Sequence, residues 1–200
     1  RDRSPSRGLG DVYKRQLLAC SLFAAGEVYS PSVKDVYADA TSQKSIGRLL
    51  PTNGVKILAT QGDRVKISVK GYQNPAVSNV VYFSDSERVI AVAFAKTATP
   101  EIKVVKKGAN GKWDEVETVV YAQKDGFTSD LGGLFAKGGE LYKESCGACH
   151  SLHQTTHYKA NQWPNLLKSM IARTAIGKDD EWLVIQYLQK YSADVNVAKK

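Results

Sequence analysis

One methionine, Met170, stands in 200 residues, with three histidines and three cysteines. No apolar run approaches the roughly 18 residues needed to cross a bilayer, so no transmembrane segment is expected. Low-complexity tracts are missing, and 42% hydrophobic with 24% charged residues is the composition of a globular chain. The cysteines are too few, and Cys146 and Cys149 too close together, for a disulfide framework that staples a fold. The formal charge of +8 excludes less than it suggests. Arg1, Arg3, Arg7, Lys14 and Arg15 against Asp2 and Asp11 supply +3 of it, leaving +5. That remainder is mild and its basic residues do not cluster with aromatics, so nucleic acid is not an expected partner.

The first 26 residues stand apart. Arg1–Gln16 resembles a translated sequencing-adaptor remnant and is set aside as non-native. Leu17 to Gly26 reads as the second half of a secretory signal, a short apolar run ending in small residues, with Ala24 and Gly26 suited to the −3 and −1 sites. The mature chain is then expected to begin near Glu27. Leu17-Leu18-Ala19-Cys20 also resembles a lipoprotein cleavage box, but the residues after Cys20 stay apolar where a polar linker would be usual, and the soluble form is preferred. Both readings place the protein outside the cytoplasm, in the periplasm.

From residue 27 to about 124 the pattern is all-β. Segments rich in Val, Ile and Tyr lie at 46–50, 55–59, 64–72, 80–83, 89–94, 102–105 and 116–121, separated by turn signals such as Pro51-Thr52-Asn53-Gly54. Residues 64–72 alternate Val65, Ile67, Val69 with Lys66, Ser68, Lys70, and Lys107-Gly108-Ala109-Asn110-Gly111 marks a hairpin. Composition shifts at Asp125 to a glycine-rich connector and then to helical patterns. Helices are expected over 134–144, from Pro164 to about Ile176, and over 179–192 with acids at the front.

The chemistry concentrates in Cys146-Gly147-Ala148-Cys149-His150. Cys-x-x-Cys-His is the attachment signature of c-type haem. Two thiols three residues apart on one helical turn reach the two vinyl groups on one porphyrin edge, and the following imidazole ligates the iron as His150. A dithiol oxidoreductase site would follow a strand in a βαβ unit, which is missing. Zinc could be drawn from Cys146, Cys149, His153 and His157, but three residues between Cys149 and His153 are far short of the usual finger loop. One covalent haem c is therefore the expected cofactor. Met170 is the candidate distal ligand, because a thioether raises the potential of a single-haem carrier. The runner-up is His157, and His153 follows His150 too closely to cross the haem plane. A core Met170 and an open iron position stay as alternatives.

Two resemblances extend this reading. VYADATSQKSIGRLLPTNGVKILATQGDRVKISVKGY resembles bacterial SH3-like domains over about 40 residues, through Ile46-Gly47, the Gly62 turn and the strand ending Gly71-Tyr72. LYKESCGACHSLHQTTHYKANQWPNLLKSM is similar to the last haem domain of the multihaem cytochromes that donate electrons to trimethylamine-N-oxide (TMAO) reductase, the Asn161-Gln162-Trp163-Pro164 run being its most specific part. This chain departs from that family in having one haem motif, and its arrangement resembles small mono-haem cytochromes associated with S- or N-oxide reductases. The expected fold is α+β in two domains: a small SH3-like β-barrel over 27–124 and an all-α cytochrome c domain over 125–200, after the 1–26 leader. The resemblances imply an electron carrier rather than an enzyme, in anaerobic respiration. Its implied partners are a molybdopterin oxide reductase as acceptor and a membrane quinol-oxidising donor. A partner- or cell-wall-binding SH3-like protein with a haem sensor, and a haem enzyme such as a peroxidase, are the competing functions.

Overall fold

Alternation is strongest at Arg64–Gln73, and in the computed structural model, which describes residues 26–149 and 151–197, this segment is a largely buried ten-residue strand. The leader and signal expectations for residues 1–25, Cys20 included, and His150 lie outside the described residues. The strands are β1 Val28–Tyr29, β2 Lys34–Tyr37, β3 Gly47–Leu49, β4 Gly54–Gln61, β5 Arg64–Gln73, β6 Val80–Tyr82, β7 Ile90–Phe94, β8 Ile102–Lys106 and β9 Asp114–Gln123. The helices are α1 Leu131–Cys146, α2 Trp163–Met170 and α3 Lys178–Lys190.

All strand pairings are antiparallel and join one sheet in the order β1-β4-β5-β6-β7-β3-β2-β9-β8. A further ladder joins β5 to β9 over ten residues, from Arg64 opposite Gln123 to Gln73 opposite Asp114. That ladder closes β5, β6, β7, β3, β2 and β9 into a six-strand ring, with β4 and β1 continuing beyond β5 and β8 beyond β9. Closure removes the open edges of those six strands. Inward residues of alternating strands, among them Val36, Leu49, Ile67, Val69, Val92 and Val120, fill the barrel. Asn110 and Gly111, both at positive φ, turn the β8–β9 hairpin as the Asn-Gly signal predicts.

The expected fold is corrected here. A small SH3-like barrel followed by an all-α cytochrome c domain is not what the chain builds. It is predominantly a nine-stranded barrel sheet, and the helical part amounts to three short helices seated on it. Two causes misled the pattern. The closing ladder pairs segments 41 to 59 positions apart, which local periodicity does not register. The two-residue β1 and the polar β2, Lys-Asp-Val-Tyr, carry no strand pattern of their own.

The helices hold a second, smaller core of Tyr142, Trp163, Leu167, Val184, Ile185 and Leu188. They are also bonded to the barrel. Buried Lys190, at the end of α3, donates from Nζ to Thr52 O (2.8 Å), Thr52 Oγ1 (3.1 Å) and Asn53 Oδ1 (3.0 Å), with the Phe83 ring 4.1 Å away. Gln186 Nε2 donates to Ile90 O on β7 (2.9 Å). The Arg48 guanidinium of β3 lies 5.9 Å from the Trp182 ring, which the Lys168 ammonium approaches at 5.1 Å.

Candidate functional site

α1 delivers the cysteines. Asp130 caps it, Oδ1 accepting from the Gly133 N–H at 2.8 Å, which satisfies one of the N–H groups a helix start leaves unpaired. Gly138 and Gly139 then let α1 cross α3 closely. A Cβ on Gly138 would stand 3.0 Å from Tyr187 Cβ, and one on Gly139 3.1 Å from Tyr187 Cζ. Tyr142, one turn further, is buried against Trp163 edge-to-face at 6.0 Å. Its hydroxyl donates to His153 O at 3.0 Å, and burial is the chief cause that pushes its pKa up to about 12. The helix that ends at Cys146 is therefore fixed along its length.

Cys146 is half-buried at the edge of the helical core, and Cys149, in the turn that follows, is exposed. Both thiols are free. Burial, and after it the neighbouring Cys149, push the Cys146 thiol up. Two free thiols three residues apart, one against the core and one in solvent, are a donor pair that suits thioether attachment to the two vinyl groups of a haem. His150, the expected proximal ligand, lies outside the described residues.

The other candidates are dispersed. His157 sits in a short 3-10 turn, Thr155–His157, its ring stacked on His153 at 4.8 Å and edge-on to Tyr158 at 4.6 Å. Met170 closes α2 and is 48% exposed, so it is not a core methionine. Among the described residues no three His, Cys, Asp or Glu side chains converge on a metal-sized point, and the four residues of the zinc alternative form no assembled site.

The Asn-Gln-Trp-Pro run has a use that sequence reasoning missed. Asn161 straddles the junction: its Oδ1 accepts from the Arg88 N–H at 2.9 Å and its Nδ2 donates to Glu87 Oε2 at 2.6 Å. Gln162 Oε1 accepts from the Lys159 N–H at 2.9 Å, the buried Trp163 donates from Nε1 to Thr155 O at 3.0 Å, and Pro164 sits in the first turn of α2. Buried Gln189 donates to Ala160 O at 3.0 Å. The run ties the loop after the cysteines to the barrel through Asn161, and Ala160 just before it bonds that loop to α3. No pattern signals this, since the partners of Asn161 lie 73 and 74 positions away in the barrel.

No helix among the described residues is long and apolar enough to cross a membrane. The chain is similar to cytochrome c-type protein TorC of Escherichia coli, 26% identical over 184 residues, 90% of this chain and 47% of that protein. It is also similar to cytochrome c-type protein TorY of Haemophilus influenzae, 29% identical over 152 residues, 74% of this chain and 41% of that one. The chain spans about half the length of the curated relatives it matches. No solved structure matches it. Residues 23–127 match the family described as TorC third cytochrome c domain. The matched stretch is the barrel itself, and the cysteines follow it. Since the match takes in just over half of the residues, the chain belongs to the TorC third cytochrome c domain family.

Proposed function

We propose that this chain is a periplasmic c-type cytochrome that passes single electrons toward a molybdenum TMAO- or DMSO-type reductase, and is not itself an enzyme. The observation that carries the reading is the pair of free thiols, Cys146 and Cys149, at the end of a helix locked against α3 in a chain of the TorC family. One haem c would be held through thioethers at the two cysteines and by His150, with Met170, or His157 as runner-up, as the second side chain to the iron. When bound, its iron alternates between ferric and ferrous and so carries one electron at a time. The chain's own residues do the rest. The cysteines tether, the α1–α3 crossing fixes the tether's direction, and Tyr142, Trp163 and Leu167 exclude water behind it. The quinol-oxidising donor is a separate membrane protein.

The test is a denaturing gel stained for haem, run with a purified TMAO reductase assay. Wild type is expected to retain stain and to reoxidise when reductase and TMAO are added. Cys146→Ala or Cys149→Ala is expected to lose the stable stain, because each thiol holds one vinyl. A wild-type chain exported intact but without stain would falsify the haem reading. A stained chain that the reductase fails to oxidise would sink the named acceptor alone, and ready azide binding by the ferric protein would favour a haem enzyme.

A further inference from the structure

The closed ring has two opposite walls. In the order β5-β6-β7-β3-β2-β9, the β7–β3 pair lies directly across from the β5–β9 pair. The helices meet the ring on the β3–β7 side, through Arg48, Ile90 and the adjoining turn that holds Lys190. The far wall, β5 and β9 widened by β4 and β8, turns its outer surface to solvent.

Register fixes what that surface carries. Directly opposed residues share a face, so the rows run Lys56, Ser68, Val119; then Lys70, Glu117, Lys103; then Tyr72, Glu115, Lys106, with Lys66 beside Tyr121. Five lysines on this wall face two carboxylates, an excess of +3. Residues 27–124 hold 14 basic against 10 acidic side chains, an excess of +4. Nearly all the net charge of the barrel therefore sits on one wall. Among the described residues none of the five lysines is in an ion pair, and Glu117 already accepts from the Ser68 hydroxyl. Within this basic field lie exposed apolar side chains, Leu58 at 53% and Val119 at 41%, with Val105 at 48% on the edge strand. β5 and β9, of ten residues each, β4 of eight and β8 of five, spaced about 4.8 Å apart, make a footprint on the order of 500 Å² before side chains are added, short of the roughly 800 Å² on one side of a standard interface until the long lysine side chains extend it.

We propose that this wall docks an acidic face of a partner protein and leaves the cysteine segment on the other side free. Charge complementarity selects the occupant: unpaired lysines around an apolar centre suit carboxylates around an apolar centre. A second copy of the wall would meet +3 with +3. A lipid surface is the poorer fit, because the apolar residues sit in strands rather than at protruding tips, and Trp and Phe are missing from the rows. The inference goes beyond the haem reading and rests on charge and topology alone, so each can fail without the other.

A photoreactive phenylalanine analogue in place of Val119, in the full chain within the organism that makes it, tests the wall. The same analogue in place of Leu166, exposed on α2, is the control. Irradiation is expected to give one discrete protein adduct at position 119, with the linked partner peptide rich in Asp and Glu. Lys70→Glu/Lys103→Glu should lower its yield at least about tenfold, and the milder Lys70→Gln/Lys103→Gln by less, with haem stain unchanged. No protein adduct at 119, an adduct to lipid or to a second copy, or an adduct indifferent to both charge changes overturns the proposal.

Discussion

Met170 is the residue whose surroundings say most about how to test it. At 48% exposure its side chain holds up no core, unlike buried Leu167 on the same helix. Removing it therefore reports on a ligand rather than on packing. Met170→Ala is expected to leave the melting temperature of the haem-free chain nearly unchanged, since surface substitutions usually fall within about 0.5 kcal/mol, while opening ferric iron to azide in the haem-loaded one. Met170→His should keep six ligands but lower the reduction potential, because a thioether favours ferrous iron more than an imidazole does. His157→Ala should do neither, its ring being stacked on His153 at 4.8 Å. Spectroscopy decides: if wild type lacks the weak sulfur-to-iron charge-transfer band and His157→Ala opens the iron, the distal ligand is His157.

Among elements, the α1–α3 crossing is the one on which the attachment site depends. Gly138 has no room for a branch, as a Cβ would already be 3.0 Å from Tyr187 Cβ. Gly138→Leu is expected to push the helices apart and cost about 1–3 kcal/mol, the usual range for overpacking. Thermal melts check the stability, and haem stain per protein should fall with it, since the thiols are carried at the end of the displaced helix. An unchanged melt would mean that α1 is held elsewhere. The same scale shows what could be read in advance. Seven strand segments were legible because they are rich in Val, Ile and Tyr between turn signals, with clear alternation at 64–72, and the cysteine turn because its spacing is itself chemistry. The six-strand ring was not, because its closing ladder depends on partners far apart. Nor were the contacts of Asn161, Gln186 and Lys190, whose polar side chains look solvent-bound in a sequence and in fact bridge the two cores.

At the scale of the molecule, Lys190 is the clasp between helices and barrel. Burial drives its pKa well below 10.5, while its three oxygen acceptors and the Phe83 ring oppose that fall. A lysine with a lowered native pKa binds fewer protons than the unfolded chain between that value and 10.5, so stability rises with pH across this window. Below it the ammonium carries its full burial cost. Lys190→Met removes the titrating group and leaves Thr52 O and Asn53 Oδ1 without this donor, a loss of about 1–3 kcal/mol. Denaturant unfolding of both proteins from neutral toward pH 10.5 should show the wild-type advantage growing with pH; a gap that shrinks would reverse the sign of the shift. The closed ring has one more consequence, which concerns order in time. Its last strand ends at Gln123, before either cysteine of the attachment motif, so every ladder of the barrel is available to a chain emerging N-terminus first while Cys146 and Cys149 are still unfolded behind it. Lys190 comes last of all. The barrel can thus be complete while the thiol segment behind it is still open, and Lys190, the residue that latches the helices to it, is the last of these parts to emerge.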